Sequence, residues 1–194
     1  MKNTKPKFKQ IIDAAVEVIA ENGYHSSQVS KIAKKAGVAD GTIYLYFKNK
    51  EDILVSLFQE KMGQFIEKIE EEISSKDTAE AKLLALIKMH FSQLGADIPL
   101  AIVTQLELRQ SNKELRAKIN EVLKRYLVII DQIVEEGVAE GSFSDKLNIR
   151  LVRQMIFGTL DETVTNWVMK DQKYRLINQA EEVHSLLVHG LSNK

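Results

Sequence analysis

Apolar residues return every three or four positions along nearly the whole chain, and that spacing admits helices and little else. Phe8, Ile11, Ile12, Ala15, Val16 and Ile19 open the pattern, and Asn22-Gly23 is a natural place to end it. A second short stripe, Val29, Ile32, Ala33 and Ala36, follows Ser27 as its N-cap and closes at Gly37. A third short helix is expected over 39–46. Asn49 then caps a long helix striped by Ile53, Leu54, Leu57, Phe58, Met62, Phe65, Ile66 and Ile69. Capping boxes at Asp77/Glu80 and Ser111/Glu114 predict two further helices, with a shorter one between them started around Asp97-Ile98-Pro99. Gly137 and Gly141 bracket a turn, and two last helices are expected near 146–169 and 174–191. The first of these is apolar around much of its circumference, so it must bury more than one face. An all-α fold of about nine helices results, with 2 prolines and 9 glycines in 194 residues arguing against a turn-rich β chain.

The formal net charge of zero hides an asymmetry. Residues 1–50 carry nine lysines and no arginine against Asp13, Glu17, Glu21 and Asp40, a net of +5, so the remainder carries −5. A basic head on an acidic body suggests that one end meets a polyanion, although solvated lysines account for charge alone equally well. No cysteine is present and no apolar run is long enough to span a bilayer, so a cytoplasmic protein is expected. Enzymatic chemistry finds little support. His25, His90, His184 and His189 form no i, i+4 metal pair or acid–base cluster, and no glycine-rich phosphate loop occurs. No cofactor is expected, and His90, on the apolar stripe of its helix, reads as a hydrogen-bonded core residue.

Residues 27–50 read as helix, a turn through Gly37-Val38, a second helix and a basic end. Two short helices joined by a tight glycine turn make a helix-turn-helix, whose second helix can enter a DNA major groove. Any helical corner has that outline. Here Lys31, Lys34, Lys35, Lys48 and Lys50 surround it, and Tyr44 and Tyr46 offer hydroxyls to phosphate oxygens.

The string IAKKAGVADGTIYLYFKNKEDIL, residues 32–54, resembles the DNA-binding signature of the TetR family of repressors. Ile32, Ala33, Ala36, Gly37, Val38, Gly41, Thr42, Tyr44, Tyr46, Phe47, Lys50, Glu51 and Leu54 fall on it. The resemblance implies a DNA-binding domain over 1–66 and an effector and dimerisation domain over 67–194. It implies core roles for Val38, Ile43 and Phe47 against Ile12, Val16 and Ile19. Ser27, Thr42, Tyr44, Lys48 and Lys50 would clamp phosphates, and Gln28, Asp40, Gly41 and Leu45 would face the bases. Ala39 stands where the family often has Ser, which removes an N-cap from the third helix.

The segments TQLELRQSN and RQMIFGTLDETVTNWVMKDQKY resemble the branch of that family that represses fatty-acid degradation in Gram-positive bacteria and responds to long-chain acyl-CoA. That likeness implies a homodimer formed by the last two helices on a pseudo-palindromic DNA operator, released by long-chain acyl-CoA. No membrane partner is implied. An apolar chain would lie among Phe91, Leu106, Tyr126, Ile130, Met155 and Thr159, with Arg109 and Arg116 meeting the coenzyme A phosphates. The helix from Lys50 to about Ser74 belongs to both expected domains and would act as the lever. Stripes such as Leu115–Ile130 also suit plain core, and six arginines on an acidic body also suit a solvated surface. A regulator of efflux sensing another apolar compound, and a lipid carrier, remain the alternatives.

Overall fold

The structure, a computed structural model, describes residues 6–192; the basic stretch before Pro6, counted above in the charge of the head, lies outside the described residues. Nine α-helices and one 3-10 turn make up the described elements. They are α1 (Pro6–Asn22), α2 (Val29–Lys35), α3 (Asp40–Ile43), α4 (Lys50–Ser74), α5 (Ala79–Ala96), α6 (Ile98–Glu107), α7 (Lys113–Ala139), α8 (Ile149–Met169) and α9 (Ala180–Leu191), with the 3-10 turn Leu176–Gln179 ahead of α9. The chain divides into two compact units, Met1–Gly63 with Pro99–Val122 and Gln64–Ile98 with Leu123–Lys194. Helices α4 and α7 therefore each contribute to both units.

In the first unit the predicted stripe of α1 is buried: Ile11, Ile12, Ala15, Val16 and Ile19 are all at most 4% exposed. Ile32, Ala33, Ile43, Phe47, Ile53, Leu54, Leu57 and Phe58 complete the apolar interior, and Phe8 stacks on Phe47 with ring centroids 5.2 Å apart. Gly23 ends α1 at φ +73°, a left-handed conformation that a side chain would strain. Val38 is half-buried and lies at the edge of this core.

In the second unit α9 and α8 both pack on α5. Leu83, Leu86, Ile87, Phe91, Ile130, Val134, Ile156, Leu160 and Val164 are fully buried there. Among them sits a cluster of rings. His90 meets Phe65 edge-on at 5.4 Å and Tyr126 at 5.7 Å, and Tyr126 meets Phe157 at 6.1 Å. His90 Nδ1 and the Tyr126 hydroxyl are hydrogen-bonded at 2.9 Å, which is the polar anchor that the apolar stripe predicted. Burial pushes the His90 imidazole down to about 3 and raises the Tyr126 phenol, with Asp161 adding to the second effect. Both groups are neutral at pH 7.

Several boundaries differ from expectation by one residue or one turn. Asn49 caps α4 as expected, its Oδ1 accepting from Asp52 N at 2.8 Å. The caps of α5 and α7 are Thr78 and Asn112 rather than Asp77 and Ser111. Thr78 Oγ1 accepts from Ala81 N, and Asn112 Oδ1 from both Glu114 N and Leu115 N. Adjacent residues of the same capping chemistry compete for each site, and helix phase decides between them. The N-cap of α2 is Gln28, with no side-chain bond, because the Ser27 hydroxyl turns inward. α3 is a single turn capped by Tyr44, shorter than 39–46, and Ala39 caps it without a side-chain bond.

Gly137 lies inside α7, not in a turn. A Cβ there would come 2.1 Å from the Phe143 ring, which is wholly buried, and Phe143 N donates to Gly137 O at 2.9 Å. The chain reverses at Gly141, φ +81°, and Phe143 bridges to Ser192 beyond α9. Gly137 is thus required for close packing. Gly137→Ala is expected to destabilise the protein by about 1–3 kcal/mol, read as a lower urea midpoint. Gly63→Ala, in α4 with nothing within 4 Å of the added carbon, is expected to stabilise by about 0.5–1 kcal/mol.

Candidate DNA-binding and effector sites

The turn between α2 and α3 is built by backbone geometry. Gly37 takes φ +64°, Val38 N donates to Ala33 O at 3.0 Å, and Gln10 of α1 donates its amide to Ala36 O at 2.7 Å. α3 is prolonged by single turns, with Leu45 N donating to Thr42 O and Phe47 N to Ile43 O. Ile43 and Phe47 face inward, so the residues between them face out. Leu45 is 81% exposed and Tyr44 58%.

Gln28, Asp40, Gly41 and Lys48 share that exposed character, and Thr42 is half-buried. A thymine methyl or a phosphate is the kind of group that Leu45, Thr42 and Tyr44 suit. Lys48 uses its own N–H to bond Asp52 at 2.9 Å and leaves its ammonium outward. Lys31 reaches Asn22, and Lys35 pairs with Glu17.

Two expected phosphate contacts are committed elsewhere. Ser27 is 2% exposed, and its hydroxyl donates to Gly23 O at 2.7 Å and Val18 O at 3.2 Å. Lys50 donates its ammonium to Tyr24 O and His25 O, each at 3.0 Å, and lies 4.6 Å over the Tyr24 ring. Both side chains hold the turn between α1 and α2. Tyr24, which the sequence did not single out, is the residue that Lys50 holds. It is 5% exposed, and its phenol is pushed up to about 12, by burial first and then by the charges of Glu51 and Glu107.

The expected effector residues divide between the two units. Leu106, Arg109 and Arg116 belong to the first unit, and Phe91, Tyr126, Ile130, Met155 and Thr159 to the second. Arg116 donates to Gln110 O at 3.0 Å, which braces the loop between α6 and α7. Phe91, Tyr126 and Ile130 are core residues at 0–1% exposure. Met155 and Thr159 lie on the opposite, outer side of α8, in a groove of about 630 Å³ shared with Gln154, Gly158, Glu162 and Thr163. A separate cleft of about 490 Å³ in the second unit reaches the ring cluster, with Phe91 in its wall beside Gly95, Trp167, Tyr174, Arg175 and Leu176. Its rim is unusual: Asp171 and Gln172 both take positive φ, 55° and 54°, and Trp167 Nε1 donates to Tyr174 O at 2.7 Å. The periodicity of α8 signalled burial on several sides, but gave no sign of this loop.

A helix-turn-helix carried on a small helical core and followed by a helical second unit defines a class of DNA-binding regulator. The model of bacterial regulatory proteins of the tetR family matches residues 11–57, and that of the YsiA-like protein C-terminal region matches residues 58–190. The chain belongs to the TetR family of bacterial transcription regulators. It is 68% identical over 194 residues to the fatty acid metabolism regulator protein of Bacillus subtilis (strain 168), covering 100% of both chains. It is also similar to the crystal structure of the transcriptional regulator FadR from Bacillus subtilis in complex with stearoyl-CoA, at TM-score 0.92 and 68% identity. That match covers 95% of this chain and 99% of the other. FadR from Bacillus halodurans, a fatty acid degradation regulator, matches at TM-score 0.91 and 65% identity over 95% and 99% of the two chains.

Lys48 and Lys50, adjacent in the signature, are expected to behave differently. Lys48→Ala should weaken binding to all duplexes alike and flatten the salt dependence by about one unit. Lys50→Ala should instead lower thermal stability, by about 1.5–3 kcal/mol for its hydrogen bonds to the turn. A Lys50→Ala protein as stable as the wild type, with the flattened salt slope, would return Lys50 to the phosphates.

Proposed function

We propose that this chain is a homodimeric repressor of fatty-acid degradation genes, released from its operator by long-chain acyl-CoA. The observation that carries the reading is likeness over full length to a fatty acid metabolism regulator, together with a matching structure that holds stearoyl-CoA. In this reading residues 1–66 bind DNA and residues 67–194 serve the effector and the dimer. Gln28, Asp40, Gly41, Thr42, Tyr44, Leu45 and Lys48 form the DNA face. The protein acts in the cytoplasm, where its operator is, and no catalytic role is assigned to it.

Magnitudes support an acyl effector. Burying a chain of 14 to 18 carbons is worth about 0.8 kcal/mol per CH₂, roughly 10–14 kcal/mol before ordering costs. Allosteric couplings are typically about 1–3 kcal/mol, so a small fraction of that gain suffices to bias the DNA-binding unit. The cleft that has the buried Phe91 in its wall gives an apolar chain a way toward the ring cluster, and Arg175 at its edge offers a guanidinium to an anionic head group. Arg116 already donates to Gln110 O.

One helix-turn-helix makes few contacts, so tight specific binding calls for two copies on a pseudo-palindrome. The outward faces of α8 and α9 support pairing as a four-helix bundle. Leu151 is 54% exposed, Met155 50% and Leu186 70%. Within α9 the apolar residues divide between two faces. Val183, Leu187 and Leu191 are at most 8% exposed in their own core, and Leu186 is the residue turned outward. Leu186→Glu is expected to give a folded monomer by sedimentation, whereas Leu187→Glu should impair folding. A Leu186→Glu dimer as tight as the wild type would place the interface elsewhere.

The decisive experiment titrates stearoyl-CoA into the complex of protein with DNA from upstream of its own gene. Release should grow with acyl chain length, and free coenzyme A should have little effect. An intact complex at saturating stearoyl-CoA would overturn the effector assignment.

A further inference from the structure

We infer that Glu107 is a positioning residue for DNA binding: its carboxylate, at the end of α6, holds the backbone of Tyr24 and so sets the turn from which the helix-turn-helix is carried. Its coupling to effector, though not this holding role, rests on the function proposed above.

The bond joins residues 83 positions apart within the first unit. Tyr24 N donates to Glu107 Oε1 at 2.8 Å, a charge-assisted hydrogen bond. Glu107 Oε2 is engaged as well, accepting from Gln110 Nε2 at 2.6 Å. Gln110 is 4% exposed, and its own carbonyl accepts from Arg116. The carboxylate is thus aimed at Tyr24 by a braced loop. From the other side Lys50 takes the Tyr24 carbonyl. The peptide groups of Tyr24 are gripped at the N–H by α6 and at the C=O by α4, directly after Gly23 and three residues before the buried Ser27.

The choice of residue runs against local preference. Glu107 is the last residue of α6, where the carbonyl end of a helix disfavours negative charge, and the last turn holds no basic residue. A residue kept against its own helix is explained by what it does elsewhere. The Gly23 backbone also fits this arrangement: a Cβ there would lie 3.9 Å from Glu107 Oε1.

The route to the second unit is short. α5, which carries His90 and Phe91, ends at Ala96, and α6 begins at Ile98, leaving Asp97 alone between them. A change in α5 on filling the ring cluster therefore reaches α6 along the chain, and Glu107 delivers it to the α1–α2 turn. Arg116 and Gln110 belong to this brace, not to a ligand.

The test compares wild type, Glu107→Ala and Glu107→Gln as full-length protein on operator DNA, without ligand and with stearoyl-CoA. Glu107→Ala should bind operator about tenfold or more weakly, with a salt slope unchanged because Glu107 touches no phosphate. Glu107→Gln, whose amide oxygen still accepts from Tyr24 N–H, should recover most of the affinity. Stearoyl-CoA should weaken the operator complex of Glu107→Ala by a smaller factor than that of wild type. Affinity within about twofold of wild type for Glu107→Ala would overturn the inference. So would equal losses in both variants accompanied by a lowered melting temperature, which would make Glu107 a stability residue only. If stearoyl-CoA fails to release even the wild type, the effector reading falls, and the ligand-free comparison still decides the role of Glu107.

Discussion

Two helices, α4 and α7, each serve two hydrophobic interiors with one unbroken backbone. Residues 50–63 of α4 and 113–122 of α7 belong to the first unit, and the remainder of each to the second. At about 1.5 Å per residue α4 runs for roughly 37 Å, held by a continuous ladder of hydrogen bonds. Its apolar stripe must match both cores in register, from Ile53 to Phe58 in one and from Phe65 to Ile69 in the other. One backbone thus carries side chains into both interiors.

What an effector must do in the second unit is also constrained by its interior. His90, Phe91, Tyr126 and Phe65 form a buried box that holds the His90–Tyr126 hydrogen bond. His90 Nε2 has no partner. Both anchor groups are uncharged at neutral pH, and the buried Asp161 lies close enough to act on the Tyr126 phenol.

Much of this was legible in the sequence, because helical period reports burial directly. The stripes of α1, α4 and α5, the stop at Gly23 and the helix-turn-helix all follow from spacing and cap chemistry. Caps were misplaced by one residue where two neighbours could both serve, as with Asp77 and Thr78. Gly137 reads as a turn in sequence because its real reason, the Phe143 ring, lies around a reversal that periodicity does not see. In α9 the apolar pattern alone does not separate Leu187, which faces its own core, from Leu186, which faces out. Long-range backbone contacts were the least visible. Nothing near Lys50 or Glu107 in sequence signals the carbonyl or N–H of Tyr24, so one was taken for a phosphate contact and the other was passed over. The absence of arginine before position 109 was legible and carries weight: no guanidinium fork is available from residues 1–108, so base contacts there fall to lysine, Gln28, Asp40 and the apolar Leu45.

The central claim is that effector and operator compete through one conformational equilibrium. Linkage then requires the coupling to be equal in both directions. Calorimetric titration of stearoyl-CoA into the free protein, and into protein saturated with operator, measures it from the ligand side. The expected result is weaker acyl-CoA binding in the presence of operator, by the same factor by which stearoyl-CoA weakens operator binding. Identical affinities with and without operator would contradict the account.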